Sequence, residues 1–330
     1  MNQLMYLLLW AWLMASSFII SGNMSAYASP LATSCFRFLL ALLCIVPCLI
    51  ISWRRTGLHS PTEFKRLFSK RSRLLHYVFI SGTLVGFFIG LFLALESTTP
   101  LNTSVLYTLV PLMGVVIARV WLGELASGVR IFGFIVGSLG AVIVLLSNHS
   151  TQTAGSNSFV WHSGDSIYIG ACFLLALHVV SVQKWGRTLP ALSGAFMIML
   201  FGTLWLLPIT LIWGNIDEVS WHLSGFWSNI LYLTIFTTLL TFVLQQRLVV
   251  LAGATRLLAM SYTIPVWVAC YTSVSQSSFS SLLSTHFISG LLCIVIALLL
   301  IDGTYFTLAS RKRRLINTKE IPHGSHSTTR

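Results

Sequence analysis

The sequence predicts an all-α polytopic membrane protein, with ten transmembrane helices arranged as two inverted five-helix repeats. Three observations carry this expectation: apolar runs of spanning length, basic residues confined to alternate connections, and a polar stretch with five runs on either side. Apolar residues make up 55% of the chain and charged residues 8%, against about 25% charged in an ordinary soluble domain. A soluble chain of 330 residues would need more charge to cover so large a core.

A hydrocarbon layer about 30 Å thick is crossed by roughly 20 residues at about 1.5 Å rise each. Runs of that length lie at 4–22, 33–53, 74–95, 104–121, 131–147, 165–183, 193–213, 227–246, 257–275 and 286–306. The first is followed by Ala26-Tyr27-Ala28, which mimics a signal-peptidase site. No basic residue precedes Arg37 and the run is of spanning length, so a retained helix is expected. The second and seventh runs each carry a late proline, Pro47 and Pro208. Gly82, Gly86 and Gly90 stack at four-residue intervals on the third run, as do Gly133 and Gly137 on the fifth. Small residues let helix backbones approach where no hydrophobic effect drives them together. Whether these stripes pack within one chain or between the copies of a homodimer is left open.

The fourth run reads Asn102-Thr103-Ser104-Val105-Leu106-Tyr107-Thr108-Leu109-Val110-Pro111, and the ninth Arg256-Leu257-Leu258-Ala259-Met260-Ser261-Tyr262-Thr263-Ile264-Pro265. A polar start, a Tyr–Thr pair and an internal proline recur. Each proline removes one backbone hydrogen bond and opens its helix locally. In a membrane the freed carbonyls must be met by protein groups or cavity water. Matched interruptions in two inverted halves point to a midplane binding site shaped by Pro111 and Pro265; the alternative is a pair of packing kinks.

Nineteen of the twenty Lys and Arg residues lie at Arg54 to Arg73, Arg119 to Arg130, Lys184 with Arg187, Arg247 with Arg256, and in the tail from Arg311. The stretches 23–32, 96–103, 148–164, 214–226 and 276–285 contain none. Cytoplasmic loops retain basic residues and translocated loops lose them, so both termini are expected in the cytoplasm. The domains follow: a first repeat at 1–147, a polar periplasmic linker at 148–164, an inverted second repeat at 165–306 and a basic cytoplasmic tail at 307–330. The net charge of +12 then reports topology and attraction to anionic lipid, and nucleic acid is not expected as a partner. All six cysteines lie inside apolar runs. Cys44 and Cys48 share a face without His or acidic neighbours, so neither a metal site nor a disulfide framework is implied, and no cofactor is expected.

Ionisable groups at depth are costly and each suggests a function. Arg37 is the one basic residue on the translocated side, about one turn into its span, and Glu96 closes the third span at the same level. A pair between them would latch the outer mouth; otherwise Arg37 snorkels to headgroups and Glu96 is solvated. Asp302 near Arg247 and Arg256 reads as a loose surface pair. His178 titrates near neutral pH in water, and a ring satisfied by neighbouring helices is favoured over a proton relay. Gln245 and Gln246, below Thr237, Thr238 and Thr241, line a polar path or bond neighbouring helices.

Arg37-Phe38-Leu39-Leu40-Ala41 resembles the start of the second helix in the drug/metabolite transporter superfamily, EamA-type branch. Tyr107 through Pro111, continuing to Leu122-Gly123-Glu124, resembles that family's fourth helix and turn. Thr237 through Gln246, then Leu251-Ala252-Gly253-Ala254-Thr255-Arg256 and Pro265, are similar to its eighth and ninth helices. The family's first-helix Trp before small residues is matched imperfectly by Trp12 with Ala15, Ser16 and Ser17; the acidic turn after the fourth helix has no counterpart at Ser277-Ser278. The resemblance implies a multi-pass protein of the bacterial inner membrane. It would not be an enzyme, but would export small organic metabolites such as amino acids, amines or drugs by alternating access, with the lipid bilayer as its other partner. The residues expected to line or gate the path are Arg37, Glu96, Tyr107, Pro111, His178, Gln246, Tyr262 and Pro265. The rival readings are a lipid flippase and a membrane-embedded lipid-modifying enzyme.

Overall fold

The computed structural model describes residues 3–98, 100–149, 161–275 and 282–302, and every regular element among them is helical. The middle of the expected linker 148–164, the tail 307–330 and Ser277-Ser278 lie outside the described residues, as does the side chain of Asp302. Nine stretches among the described residues are long and apolar enough to cross a membrane, and Thr285–Ile301 is a shorter apolar helix.

The first span is α1 (Gln3–Met24) and the second α2 (Pro30–Arg55). Pro30 occupies the first turn of α2, where its missing N–H costs nothing, and Ser29 caps it by accepting from the Ala32 N–H at 3.1 Å. A short amphipathic helix, α3 (Ser60–Phe68), occupies the basic connection that follows. It buries Leu67 and sets Phe64 edge-on to Trp53 and Phe196 at 4.8 and 5.9 Å, which holds it against the bundle. The third span is α4 (Arg71–Leu95).

The fourth span is broken, as its proline predicts: α5 (Pro100–Tyr107) ends, Thr108 and Leu109 turn, and α6 (Val110–Leu122) begins with Pro111 in its first turn. Gly123 then closes α6 in the left-handed conformation at φ 70°, its N–H bonded to Ala118 O. The fifth, sixth and seventh spans are α7 (Gly128–His149), α8 (Ser163–Trp185) and α9 (Ala191–Trp213). Both α2 and α9 run on through their internal prolines, Pro47 and Pro208. The eighth span is continuous over Ser224–Ala252, with a π-helical stretch Leu233–Leu240 between α10 (Ser224–Tyr232) and α11 (Thr241–Ala252). The ninth is broken: α12 (Ala254–Met260), a 3-10 turn Ser261–Thr263, then α13 (Ile264–Ser275). The last described helix, α14 (Thr285–Asp302), falls in the tenth apolar run.

Connections predicted to share a side of the membrane do meet. Ser29 Oγ donates to Gly214 O at 2.6 Å, and the Ser220 N–H to Tyr27 O at 2.9 Å, joining the stretches expected outside after α1 and α9. Thr98 donates to the Asp165 carboxylate at the end of α4. On the opposite side Glu124, Gln183 and Ala254 converge.

The packing has a self-matching pattern. α4 lies on α8 and α9, while the eighth span lies on α1 and α2; α6 meets α8, while α13 meets α1. α2 with α9, α6 with α12 and α7 with α14 complete the bundle. Exchanging the first five apolar runs for the last five converts each of the first three contacts into its counterpart and leaves α2–α9, α6–α12 and α7–α14 as they are.

Small residues set the tightest of these contacts, all within one chain. A Cβ on Gly90 would lie 2.8 Å from Ala171 Cβ on α8, and one on Gly86 would lie 2.9 Å from Leu174. On α7, Gly133 faces Ala297, Leu300 and Ile301, Gly137 faces the Tyr262 ring, and Gly140 meets Gly290 and Cys293. The stripes read from the sequence as close-packing surfaces are that. Gly140→Val, whose Cβ would lie 2.8 Å from Gly290 O, is expected to lower stability by about 1–3 kcal/mol through overpacking. Gly170→Ala, with nothing within 4 Å, should stay within about 0.5 kcal/mol of wild type. Equilibrium unfolding in mixed micelles measures both, and equal effects would contradict the packing.

Candidate functional site

Arg37 is the eighth residue of α2, two turns in from its N-terminal end, and only 8% exposed. Its guanidinium neither snorkels nor meets Glu96, which is exposed at the end of α4. The expected outer pair is therefore absent, because the Arg37 face of α2 turns inward to hydroxyls of α1 and the eighth span. Nε donates to Thr238 Oγ1 at 3.1 Å, Nη2 to Ser17 Oγ at 3.2 Å and Thr237 Oγ1 at 3.3 Å, and Nη1 to Ser21 Oγ at 3.5 Å. A π-helix has more residues per turn than an α-helix, so consecutive residues diverge less around the axis. That lets the neighbours Thr237 and Thr238 reach the same guanidinium.

The link between the ends of α4 and α8 is made by Asp165, a residue the sequence reading passed over. It is fully buried, accepts from the His162 N–H at 2.8 Å as the third residue of a capping box, and accepts from Thr98. The signal was present as His162-Ser163-Gly164-Asp165, an acid three residues beyond a polar cap. Close approach is enforced next door, where a Cβ on Gly164 would lie 2.4 Å from Ala94 O.

The two broken spans are joined through α7. Ser138 Oγ donates to Thr108 O, in the turn of the fourth span, at 2.9 Å. Tyr262 Oη, in the 3-10 turn of the ninth, lies 2.9 Å from both Ser138 Oγ and Phe134 O. Other groups at the breaks are satisfied locally: Thr108 Oγ1 donates to Val105 O, Ser261 Oγ to Leu258 O and Thr263 Oγ1 to Met260 O. Ser261 O, which Pro265 cannot reach as a donor, accepts from the Ile264 N–H. Tyr107 is half-buried with its ring edge-on to Phe18 at 5.7 Å, and Pro111 and Pro265 are buried.

His178 is fully buried between α4 and α11. Ile80 O can only accept, so Nδ1–H donates to it at 2.8 Å, and Nε2 accepts from Gln245 Nε2 at 3.2 Å. Both ring nitrogens of a neutral imidazole are thereby used, the satisfied histidine favoured from sequence. Gln246 is buried with Nε2 unpartnered. Its Oε1 faces the Gly194 backbone beside the unpartnered Tyr77 hydroxyl, each 3.0 Å from where a Gly194 Cβ would sit. Tyr77 gave no signal in the sequence beyond a tyrosine in an apolar run. Trp12 is 46% exposed, whereas Trp10 is buried with Nε1 unpartnered, so the inward indole of α1 is Trp10.

At the other end of the bundle Gln183 Nε2 donates to Glu124 Oε1 at 2.5 Å, Gln183 Oε1 accepts from the Ala254 N–H at 2.6 Å, and Thr255 Oγ1 donates to Glu124 Oε2 at 3.4 Å. This clasp ties α6, α8 and α12 together around Gly253, whose φ of 87° and ψ of 154° suit only glycine. A cleft of about 270 Å³ opens beside it, lined by Glu124, Arg130, Gly253, Thr255 and Arg256. It lies at the opposite end of the bundle from Arg37.

Fold and site together define a polytopic α-helical membrane protein with polar and charged groups buried between its spanning helices. Residues 1–146 match the EamA-like transporter family. The chain is 22% identical over 252 residues to the uncharacterized transporter YyaM of Bacillus subtilis (strain 168), covering 76% of this chain and 78% of that one. Its fold is similar to that of a protein of known crystal structure, with a TM-score of 0.71 and 16% identity over 93% of this chain and 96% of the other. The first part of the chain is thus similar to the EamA-like transporter family, and about three quarters of it to a transporter.

Two outcomes follow from this geometry. Ser138→Ala leaves Thr108 O and Tyr262 Oη short of a partner and should destabilise the protein by about 1–3 kcal/mol, read by thermal unfolding in detergent. The flux effects of Arg37→Gln and Glu96→Gln should combine with a coupling below about 0.5 kcal/mol, as separate sites do. A double variant no worse than either single would show that they act as a pair.

Proposed function

We propose that the chain is a secondary transporter that exports small organic metabolites across the bacterial inner membrane by alternating access, and that it performs no chemistry on them. The proposed body is ten transmembrane helices in two inverted repeats, 1–147 and 165–306, with a periplasmic linker at 148–164, a cytoplasmic tail at 307–330 and both termini cytoplasmic. The observation that carries the reading is the pair of broken spans, α5/α6 and α12/α13, coupled through Ser138. A scaffold has no use for two interrupted helices at matched positions, whereas a moving bundle can flex at them. The self-matching contacts support the inverted repeat, as do the outer-with-outer and inner-with-inner links.

In this reading the substrate path passes Arg37 and Tyr107 toward the outside and His178 and Gln246 toward the inside. Tyr262, Pro111 and Pro265 shape the breaks, and Glu96 stands at the outer mouth. The Asp165–Thr98 link closes one end and the Glu124–Gln183–Ala254 clasp the other. Each would release in turn as the halves rock.

Metabolite profiling of cells lacking and overproducing the protein tests the proposal. Overproduction should deplete a set of compounds inside and enrich the same set outside, and Gln183→Ala should change that flux by about tenfold, the equivalent of one buried hydrogen-bonded link. An unchanged distribution with the protein present in the membrane would overturn transport. Conversion of lipid by membranes bearing the protein would replace it with an enzyme.

A further inference from the structure

Arg37 carries a charge that nothing in the described structure neutralises. All four of its hydrogen bonds go to neutral hydroxyls, and no carboxylate pairs with it among the described residues. A buried cation is strongly disfavoured unless an anion meets it, and breaking such a pair leaves that penalty in place. Five N–H donors against four bonds leave one Nη1 N–H unassigned, and the bond Nη1 does make is the longest, at 3.5 Å.

The surroundings are short of partners in the same sense. Thr33 Oγ1, Thr234 Oγ1 and Trp10 Nε1 are buried and make no hydrogen bond. Thr33 lies four residues before Arg37 on α2, Thr234 four before Thr238 on the π-helical stretch, and Trp10 seven before Ser17 on α1. Thr33 and Thr234 thus sit one turn from the guanidinium toward the α1–α2 turn, and Trp10 two turns from it in the other direction, so an unused donor flanks the network on each side. Hydroxyls and indole N–H groups donate to an oxyanion, which supplies the acceptors this region lacks.

The acidic residues point the same way by their placement. Glu63 pairs with Arg66, Glu124 is held by Gln183, Asp165 caps α8, and Glu96, Asp217 and Glu218 are exposed. An ammonium group entering beside Arg37 would meet like charge and no counter-charge there. One guanidinium balances one negative charge, so a monoanionic carboxylate is matched, whereas a phosphate dianion would leave a net charge buried.

Building on the transport reading, we propose that Arg37 is the substrate's anion anchor and that the compounds moved are small organic carboxylates rather than amines. The test profiles metabolites inside and outside cells that overproduce wild type, Arg37→Lys or Arg37→Gln, each checked for folding by size exclusion in detergent. The compounds shifted by wild type should bear a carboxylate. Arg37→Gln should weaken their shift by at least about tenfold, as expected for loss of a charge-assisted hydrogen bond, and Arg37→Lys should retain part of it. If wild type shifts compounds without a carboxylate, or folded Arg37→Gln shifts the same set undiminished, the anchor is wrong and transport stands. If wild type shifts nothing, transport itself is wrong and the anchor falls with it. Where Arg37→Gln does not fold, the charge class moved by wild type and the response of Arg37→Lys decide.

Discussion

Inside hydrocarbon there is no water to complete an unfinished hydrogen bond, and this constraint governs the whole molecule. Helices meet it for their own backbones, but this chain also carries many hydroxyls and two deliberate breaks. It answers with short return bonds: Ser81, Thr83, Ser181 and Thr203 each donate to a carbonyl three or four residues back. Hydroxyls are thereby hidden without a partner helix, and those that reach across helices stand apart. Ser17, Ser21, Thr237 and Thr238 turn to a guanidinium, and Ser138 turns to the backbone of a broken helix.

The same constraint explains the division between close and loose contacts. Where glycines remove side chains, as between α7 and α14 or α4 and α8, backbones meet at van der Waals distance and dispersion holds them. The polar groups gather elsewhere: at the Arg37 network, at Gly194 beside Tyr77 and Gln246, and at the inner clasp.

Sides and order were legible because charge and hydropathy are one-dimensional signals. The basic clusters put 23–32 with 214–226 and Glu124 with Gln183, and the structure brings those stretches together. Pro111 and Pro265 marked both breaks for the same reason: a missing N–H acts locally. Rotation about a helix axis was less legible. Arg37 turns inward two turns into α2 while Glu96 is exposed at the end of α4, and Trp10, not Trp12, faces inward, since each residue step rotates about 100° around the axis. α3 was missed because its nine residues make only about two and a half turns, too short for an amphipathic pattern to stand out within a basic stretch. The π-helical stretch has no composition of its own, and its register is set by what Thr237 and Thr238 bond.

The contact between Tyr262, Ser138 and the backbone has an arithmetic of its own. Two hydroxyl protons serve three short contacts, to Thr108 O, Ser138 Oγ and Phe134 O. One contact is always shared or unserved, and rotating a hydroxyl by one torsional step changes which one it is. The backbones at both interruptions are therefore held through a single pair of hydroxyls. Two broken helices far apart in the sequence share one small polar knot on α7.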